Sequence, residues 1–144
     1  MRRFEEVDAM ERTNFEKLRV YELAECLADC IWKIAIPWNH FARDTIGKQI
    51  VRAADGIGAN IAEGIGRGSY QENRRFVKIA RGSLNEVKHW LRRAFRRNLL
   101  TDEHVTQLKP LMDELSPKLN AYLRSIGKTN NQTKPTDDRQ TTDN

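Results

Sequence analysis

The sequence predicts an all-α protein that folds as an antiparallel up-and-down four-helix bundle. Three features of the 144-residue chain support this fold class. Apolar residues recur at steps of three and four in four separate segments, which is the spacing of one helix face. Proline, glycine or capping residues separate these segments at short intervals. No segment has the alternating pattern of a strand, and amphipathic helices joined by short loops pack as antiparallel bundles.

The first helix is predicted from about Asn14 to Ile36. Its apolar face follows steps of four and three and comprises Val20, Ala24, Leu27, Ile31 and Ile34, widened by Phe15, Leu18, Tyr21, Leu23 and Trp32. Pro37 ends the helix, because the residue before a proline is driven out of the helical conformation. Residues 1–13 are predicted to form an N-terminal extension.

The second helix is predicted from about Arg43 to Ile65, and its apolar face comprises Ile46, Ile50, Ala53, Ile57 and Ile61. Beside that face runs a stripe of mostly small residues, namely Gly47, Val51, Ala54, Gly58 and Ala62. A glycine inside a helix costs about 1 kcal/mol relative to alanine. We therefore expect the stripe to serve close packing, with the backbone of another helix approaching it.

The segment from Asn60 to Phe76, NIAEGIGRGSYQENRRF, joins the second and third helices. Its three glycines are Gly64, Gly66 and Gly68. A helix precedes them, and their spacing fits neither the dinucleotide fingerprint nor the P-loop. A glycine past a helix end supplies a left-handed cap, and Ser69 followed by Glu72 fits a capping box. We predict a turn between two helices; the start of the third helix beside Arg67 is a weaker candidate for holding an anion.

Asn60, Glu63 and Arg67 follow one another at single-turn spacing along this segment. A carboxylate held by an asparagine and an arginine would be able to act as a general base. However, no histidine or serine is placed to form a triad with it, and no second carboxylate accompanies it in sequence. We therefore predict that the three side chains form a structural polar network, with no catalytic residue and no enzymatic activity.

The third helix is predicted from about Tyr70 to Asn98, with an apolar face of Phe76, Ala80, Ser83, Val87, Leu91 and Ala94, extended by Val77, Leu84 and Phe95. Between Arg67 and Arg97 the sequence has ten basic and two acidic residues, a net +8 in a chain whose total is +5, so the remainder sums to −3. The ten basic residues are Arg67, Arg74, Arg75, Lys78, Arg81, Lys88, Arg92, Arg93, Arg96 and Arg97.

These basic residues form two rows on the predicted helix. One continuous stripe comprises Arg74, Lys78, Arg81, Lys88, Arg92 and Arg96, and the second row comprises Arg75, Arg93 and Arg97 with His89. A single-sign stripe repels itself and therefore indicates an acidic partner. Nucleic acid is the commonest large acidic partner, because a protein that neutralises its phosphates gains affinity without recognising the base sequence. An acidic protein surface, including another subunit, and a solvated face are the alternatives. Trp90 would stack on a base if exposed, although we expect it to pack in the bundle.

The fourth helix is predicted to begin after Thr101, with Asp102 and Glu103 in its first turn. Its apolar residues from Val105 to Ile126 follow a heptad pattern. Pro110 and Pro117 lie off that pattern, and we expect them to bend the helix or to divide it into two pieces. Residues 127–144 contain no large apolar side chain and are predicted to form a disordered polar tail.

Other kinds of site have little support in the sequence. Cys26 and Cys30 lie four residues apart, and the three histidines stand in separate segments without ligand spacing, so we predict no metal site and no cofactor. The opening residues are too charged for a secretory signal, and no apolar run approaches the ~20 residues of a membrane span. We therefore expect a cytoplasmic protein with reduced thiols.

The run QIVRAADGIGANIAEGIGRGSYQENRRFVKIARGSLNEV, residues 49–87, resembles the four-helix-bundle family of bacterial proteins encoded by intervening sequences in 23S ribosomal RNA genes. The matching positions are Gln49, Arg52 to Ala54, Ile57, Asn60 to Gly64, Gly66, Arg67, Phe76, Ile79, Ala80 and Gly82 to Leu84. The resemblance extends over roughly residues 14–126. It implies an all-helical up-and-down bundle that assembles as a ring-shaped homopentamer, and it does not imply an enzyme.

A related branch of the family is the accessory variability determinant of diversity-generating retroelements, which binds nucleic acid and a reverse transcriptase through a basic pentamer surface. The present chain departs from the family pattern after Gly-Ser-Leu, where the family often has acidic or neutral residues and this chain has KHWLRR followed by Arg96 and Arg97. We therefore expect a non-enzymatic oligomer that binds RNA or DNA through its third helix. The alternative is an accessory scaffold that docks on a protein partner such as a reverse transcriptase.

Overall fold

The computed structural model describes residues 18–128, and these contain four long helices and no strand. The helices are α1 (Arg19–Ala35), α2 (Lys48–Gly66, with a preceding helical lead-in), α3 (Tyr70–Arg96) and α4 (Asp102–Ser125). Consecutive helices run in opposite directions, and α4 packs against both α1 and α3. The predicted all-α fold with four helices is therefore confirmed. The predicted extension 1–13, the start of the first helix at residues 14–17 and the tail residues 129–144 lie outside the described residues.

Helix α1 buries the face that its periodicity predicts. Val20, Ala24, Leu27, Ile31 and Ile34 all lie in the core. The helix ends at Ala35, and Ile36 closes the last turn by donating its N–H to the carbonyl of Trp32, 3.0 Å away. The prediction that Trp32 widens the buried face is wrong. At 3.6 residues per turn Trp32 lies about 100° around the helix from Ile31, on the side away from Leu27 and Ile34, and 53% of Trp32 is exposed.

The lead-in to α2 begins three residues earlier than the sequence predicts. A single α-helical turn, His40–Ala42, is capped by the side chain of Asn39, which accepts from the backbone N–H of Ala42. A π-helical turn, Arg43–Gly47, then continues directly into α2. The extra residue of a π-turn shifts the helix phase locally, which is a feature that periodicity does not reveal. The predicted apolar face of α2 is buried from Ile46 to Ile61.

Glycines let α2 pack closely on both neighbours, but not in the way predicted. Gly58 of the predicted small-residue stripe faces side chains of α1 rather than its backbone, and Gly56 and Gly64 lie outside that stripe. A Cβ atom on Gly58 would lie 3.4 Å from the ring of Tyr21 in α1. On the other side of α2, a Cβ on Gly56 would lie 3.3 Å from Oγ of Ser83 in α3. At Gly64 the approach is closest, because an added Cβ would lie 2.6 Å from Oδ1 of Asn73. The most extensive contact between any two helices of the described chain is that of α2 with α3.

The turn between α2 and α3 is the one predicted from the glycines. Helix α2 ends at Gly66, and Gly68 adopts a φ of +79°, the left-handed conformation that favours glycine. Ser69 caps α3 by accepting from the N–H of Glu72 at 3.2 Å. The predicted capping box also requires the Glu72 side chain to accept from the backbone N–H of Ser69. The Glu72 carboxylate instead accepts from Arg75 at 3.2 Å.

Helix α3 ends at a left-handed residue, Asn98, whose φ is +59°. The N–H of Leu99 then donates to the carbonyl of Ala94, and the carbonyl of Leu99 accepts from Nε1 of Trp38 at 3.0 Å. This last bond joins the α1–α2 connection to the α3–α4 connection, and we call this end of the bundle the Trp38 end. Phe95, predicted to extend the apolar face of α3, is 52% exposed there.

Helix α4 is one continuous helix, so the predicted possibility of two pieces is wrong. Both prolines lie inside it and face solvent. The carbonyls that they leave without a helical donor, those of Thr106 and Asp113, belong to exposed residues that water can reach. The predicted start of α4 after Thr101 is confirmed, and Thr101 caps the helix together with His104. Thr101 Oγ1 accepts from the N–H of His104, whose Nδ1 accepts from the N–H of Thr101.

The heptad pattern of α4 supplies its core contacts. Leu108, Leu115, Leu119 and Ile126 are buried, whereas Val105 at the Trp38 end remains 37% exposed. At the middle of α4, a two-pronged ion pair joins this helix to the start of α1. Nε and Nη2 of Arg19 each lie 3.0 Å from a carboxylate oxygen of Glu114. Such a paired geometry is the strongest form of an exposed ion pair.

We predict that Gly64→Ala lowers the free energy of unfolding by about 1–3 kcal/mol, because the new methyl group meets the Asn73 and Phe76 atoms that pack against α2. Gly82→Ala is the matched control. Gly82 lies on the exposed face of α3 with no atom within 4 Å of an added Cβ, so this change should raise stability by up to about 1 kcal/mol. Urea unfolding measures both values, and equal effects of the two substitutions would contradict the close-packing account.

We predict that the ion pair of Arg19 and Glu114 makes stability depend on pH. Hydrogen bonds from Arg19 hold the pKa of the Glu114 carboxyl below its ordinary value of 4.5. A lowered folded-state pKa contributes stability that is present above the unfolded-state pKa and is lost as the pH falls through the folded-state pKa. The advantage of the wild type over Glu114→Gln in thermal unfolding should therefore shrink as the pH falls below about 4.5. A difference that stays constant from pH 7 to pH 3 would contradict this.

Candidate nucleic-acid interface

The basic residues of α3 lie on the side of the helix that faces away from the core. Val77, Ala80, Leu84 and Val87 are buried on the inner side. Of the ten basic residues predicted to bind nucleic acid, nine are exposed and Arg93 is half-buried. The amphipathic pattern of α3 therefore places a continuous cationic surface on the outside of the bundle, but its members differ in what they contact.

Three basic residues spaced by seven lie along the boundary between α3 and α4. Arg74 Nη1 donates to the carbonyl of Ile126 at 3.1 Å, and Arg81 Nη1 donates to Oδ1 of Asn120 at 3.3 Å. Lys88 Nζ donates to Oγ of Ser116 at 3.2 Å. All three acceptors are neutral, so the charges are not cancelled. These side chains tie α3 to α4 while their positive charge still contributes to the surface potential.

Two basic residues near the start of α3 are neutralised by neighbouring carboxylates. Arg67 lies 2.9 Å from Glu63, and Arg75 lies 3.2 Å from Glu72. Both guanidinium groups also lie over the ring of Phe76, with their Cζ atoms 4.9 Å and 4.6 Å from its centroid. Such cation–π contacts are weakly stabilising at exposed sites. This end of α3 is thus a structural cluster in which the cations already have partners.

Five of the ten basic residues have no hydrogen bond or ion pair from their side chains to any residue between 18 and 128. They are Lys78, Arg92, Arg93, Arg96 and Arg97. Four of these lie in the last two turns of α3 or just past them, at the Trp38 end. The negative end of the helix dipole favours cations at that position, which reduces the repulsion among them. The free arginine cluster, as we call Arg92, Arg93, Arg96 and Arg97, is the largest set of uncompensated charge on α3.

The predicted polar network of Asn60, Glu63 and Arg67 is formed only in part. Glu63 and Arg67 make the ion pair described above, with both side chains about half exposed. Asn60 instead donates from Nδ2 to the carbonyl of Gly56 in its own helix, 2.7 Å away. An asparagine inside a helix commonly bonds a backbone group nearby, and spacing alone does not reveal that choice. The network thus reduces to one exposed pair at the end of α2.

Trp90 packs in the bundle, as expected, rather than presenting its ring to solvent. It is half-buried against the core, its Nε1 donates to Glu86 at 3.4 Å, and its ring meets that of His89 edge-on with centroids 4.8 Å apart.

The start of α3 beside Arg67 was the weaker candidate for holding an anion. Gly64, Gly68 and Ser69 border a shallow cavity beside the first turn of α3. Arg67 does not line it, because its guanidinium is directed to Glu63 and Phe76.

The two cysteines are free thiols with different surroundings. Cys26 is exposed, which contradicts a role as a small buried residue, whereas Cys30 is half-buried and its burial raises the pKa of the thiol. Residues 18–128 contain no group of three or more metal-binding side chains that would hold an ion. None of the helices in this part of the chain combines the length and apolar content that crossing a bilayer requires.

Three further basic residues lie at the Trp38 end and were not predicted as part of the interface. Arg43, Lys48 and Arg52 line a cavity of about 430 Å³ between α1 and α2, together with the exposed Trp32. They are scattered among the apolar residues of the second helix, so no charge run marks them in the sequence. The one sequence feature that pointed to this cavity was the position of Trp32 around the helix relative to Ile31, because that position places the indole outside the buried face of α1.

Comparison with known proteins agrees with the resemblance seen in the sequence. The model of the family described as 23S rRNA-intervening sequence protein matches residues 16–121. A crystal structure from Bacteroides thetaiotaomicron VPI-5482, described as a protein with unknown function from the S23 ribosomal protein family, is similar with a TM-score of 0.65 and 25% identity. The match covers 74% of this chain and 99% of that one. No curated protein matches the chain. Because the family model spans well over half of the sequence, the chain belongs to the family of 23S rRNA-intervening sequence proteins.

Proposed function

We propose that this protein is a non-enzymatic, cytoplasmic nucleic-acid-binding protein that contacts RNA or DNA phosphates through the basic face of α3. The observation that supports the proposal is the free arginine cluster. Its four guanidinium groups have no partner among the described residues, whereas Arg75 at the other end of α3 and Arg67 in the turn before it are paired with carboxylates. Arginine presents several donors in a planar fork that fits phosphate oxygens.

The proposed binding mode is electrostatic. A cation that neutralises a phosphate releases condensed counterions, so the affinity falls with salt in proportion to the number of contacts. Residues Lys78, Arg74, Arg81 and Lys88 extend the charge along α3, and they would add affinity without reading the base sequence. A homo-oligomer, which the family resemblance implies as a pentameric ring, would repeat this surface in every subunit and would raise the avidity for a long polyanion.

A second candidate function is that of a scaffold for a protein partner such as a reverse transcriptase. The observation that favours it is an apolar groove of about 290 Å³ between α3 and α4, lined by Leu91, Phe95, Leu100, Val105, Leu108 and Met112 beside two cations. Phe95 and Val105 are both partly exposed in it. Exposed apolar patches of this kind mark protein contacts more often than nucleic-acid contacts. Such binding would depend little on salt, which separates it from the first candidate.

We predict that changing Arg92, Arg93, Arg96 and Arg97 together to glutamine lowers the affinity for RNA or duplex DNA at least tenfold at physiological salt. The slope of the logarithm of affinity against the logarithm of salt concentration should fall by about three, because each phosphate contact contributes roughly 0.7 to 0.9. Fluorescence anisotropy across a salt series measures both quantities.

The matched control for this experiment changes four exposed cations away from the free arginine cluster, Arg19, Lys118, Arg124 and Lys128, to glutamine. It alters the net charge by the same amount, but it leaves α3 intact, so most of the affinity should remain. Circular dichroism and sedimentation confirm that both variants stay folded and keep the same oligomeric state. Equal losses in the two variants, or no binding by the wild type, would contradict the proposed function.

A further inference from the structure

The cavity between α1 and α2 at the Trp38 end combines an exposed aromatic ring with unpaired cations. The indole of Trp32 and the side chains of Ile36 and Val51 form its apolar wall. Trp32 is 53% exposed and Ile36 is 48% exposed, so this wall is open to solvent. The volume of about 430 Å³ lies within the range of roughly 300–1,000 Å³ that is typical of pockets for small ligands.

The charges around the cavity are unbalanced. Arg43, Lys48 and Arg52 line it, and none of their side chains makes an ion pair within residues 18–128. The carboxylate that also lines it, that of Asp44, lies 3.1 Å from Nε2 of His40. Three cations without a paired carboxylate give this part of the surface a positive potential, which favours an anionic ligand.

The cavity also lies at the same end of the bundle as the free arginine cluster. Because α2 and α3 are antiparallel, the first turns of α2 and the last turns of α3 meet at the Trp38 end. The π-helical turn that carries Arg43 packs against α3. The bond from Trp38 to Leu99 holds the two connections together. The cavity and the free arginine cluster therefore lie at one end of the bundle, although the cavity opens between α1 and α2 and Arg92 lines the groove between α3 and α4.

We propose that the cavity between α1 and α2 binds a base of single-stranded nucleic acid by stacking it on Trp32. The phosphates on either side of that base contact Arg43, Lys48 and Arg52. This inference rests on the nucleic-acid function proposed above, and it deepens that function by naming a single strand as the ligand. A base inside a duplex is already stacked on its neighbours and is not able to reach the indole, whereas every base of a single strand offers a free face.

The experiment compares three ligands that have equal phosphate numbers when every strand carries a 5′ phosphate: a ten-nucleotide uridine RNA, an abasic ten-unit strand and a duplex of five base pairs. Trp32→Ala should lower the affinity for the uridine strand about tenfold, which is the usual effect of losing one stacked base. The same variant should leave binding of the abasic strand unchanged. Trp32→Phe keeps an aromatic face and should retain most of the affinity.

The cations of the cavity have their own test. Arg43→Gln combined with Arg52→Gln should weaken binding of the uridine strand and of the abasic strand alike, and should lower the salt slope by about 1.4. The matched control is Arg124→Gln combined with Lys128→Gln, which removes two exposed cations near the end of α4, away from the Trp38 end. This control should bind both strands as the wild type does, apart from a small general effect of charge.

Three outcomes would overturn the inference. Unchanged uridine binding by Trp32→Ala, while the arginine-cluster variant weakens it, would leave the proposed function in place and remove the stacking site. Loss of self-association by Trp32→Ala in sedimentation would assign the cavity to a contact between subunits. Failure of the wild type to bind any of the three ligands would overturn both proposals at once.

Discussion

The structure depends on the close approach of α2 to both of its neighbours. A methyl group added at Gly64 would lie 2.6 Å from Asn73 of α3, one at Gly56 would lie 3.3 Å from Ser83 of α3, and one at Gly58 would just contact Tyr21 of α1. Side chains larger than alanine at these positions would push the helices apart and would open the core around Ile57 and Ile61, which are fully buried. Gly64 lies close to the end of α2, so the closest approach of α2 to α3 is next to the turn. The apolar face of α3 is buried in this packing, and its basic face is therefore directed outward.

The charge on α3 is divided according to position. At the turn with α2, arginines are matched by carboxylates and stack on Phe76; along α4 they bond neutral acceptors; at the Trp38 end they have no partner among the described residues. Repulsion in an unmatched cluster lowers stability, and the dipole at the C-terminal end of α3 offsets only part of it. Together with Arg43, Lys48 and Arg52 at the start of α2, this cluster makes one end of the bundle basic, which is what a surface that captures a polyanion requires.

Much of the fold could be predicted from the sequence, because a period of 3.6 identifies buried faces wherever the apolar residues are large and regularly spaced, as in α1 and α2. The errors have specific physical causes. The phase of Trp32 places it outside the buried face of α1, which was overlooked, whereas Phe95 has the same phase as the buried Val77 and is exposed because it lies near the end of α3. The π-turn before α2 and the unbroken α4 both depend on how individual backbone N–H and carbonyl groups find hydrogen-bond partners, which the spacing of apolar residues does not reveal. The cationic face was predictable as a charge run, whereas the cavity at Trp32 joins residues from two helices and becomes visible only when the helices are packed.

The central claim is that nucleic acid binds at the Trp38 end, and ultraviolet cross-linking tests it most directly. The protein would be irradiated with a bound uridine oligonucleotide, and the cross-linked peptides would be identified by mass spectrometry. The account predicts cross-links in the peptides that contain Trp32 and the residues from Arg92 to Arg97. Cross-links confined to the opposite end, around Ser69 or Arg124, would contradict it, because those positions lie a full bundle length from the free arginine cluster.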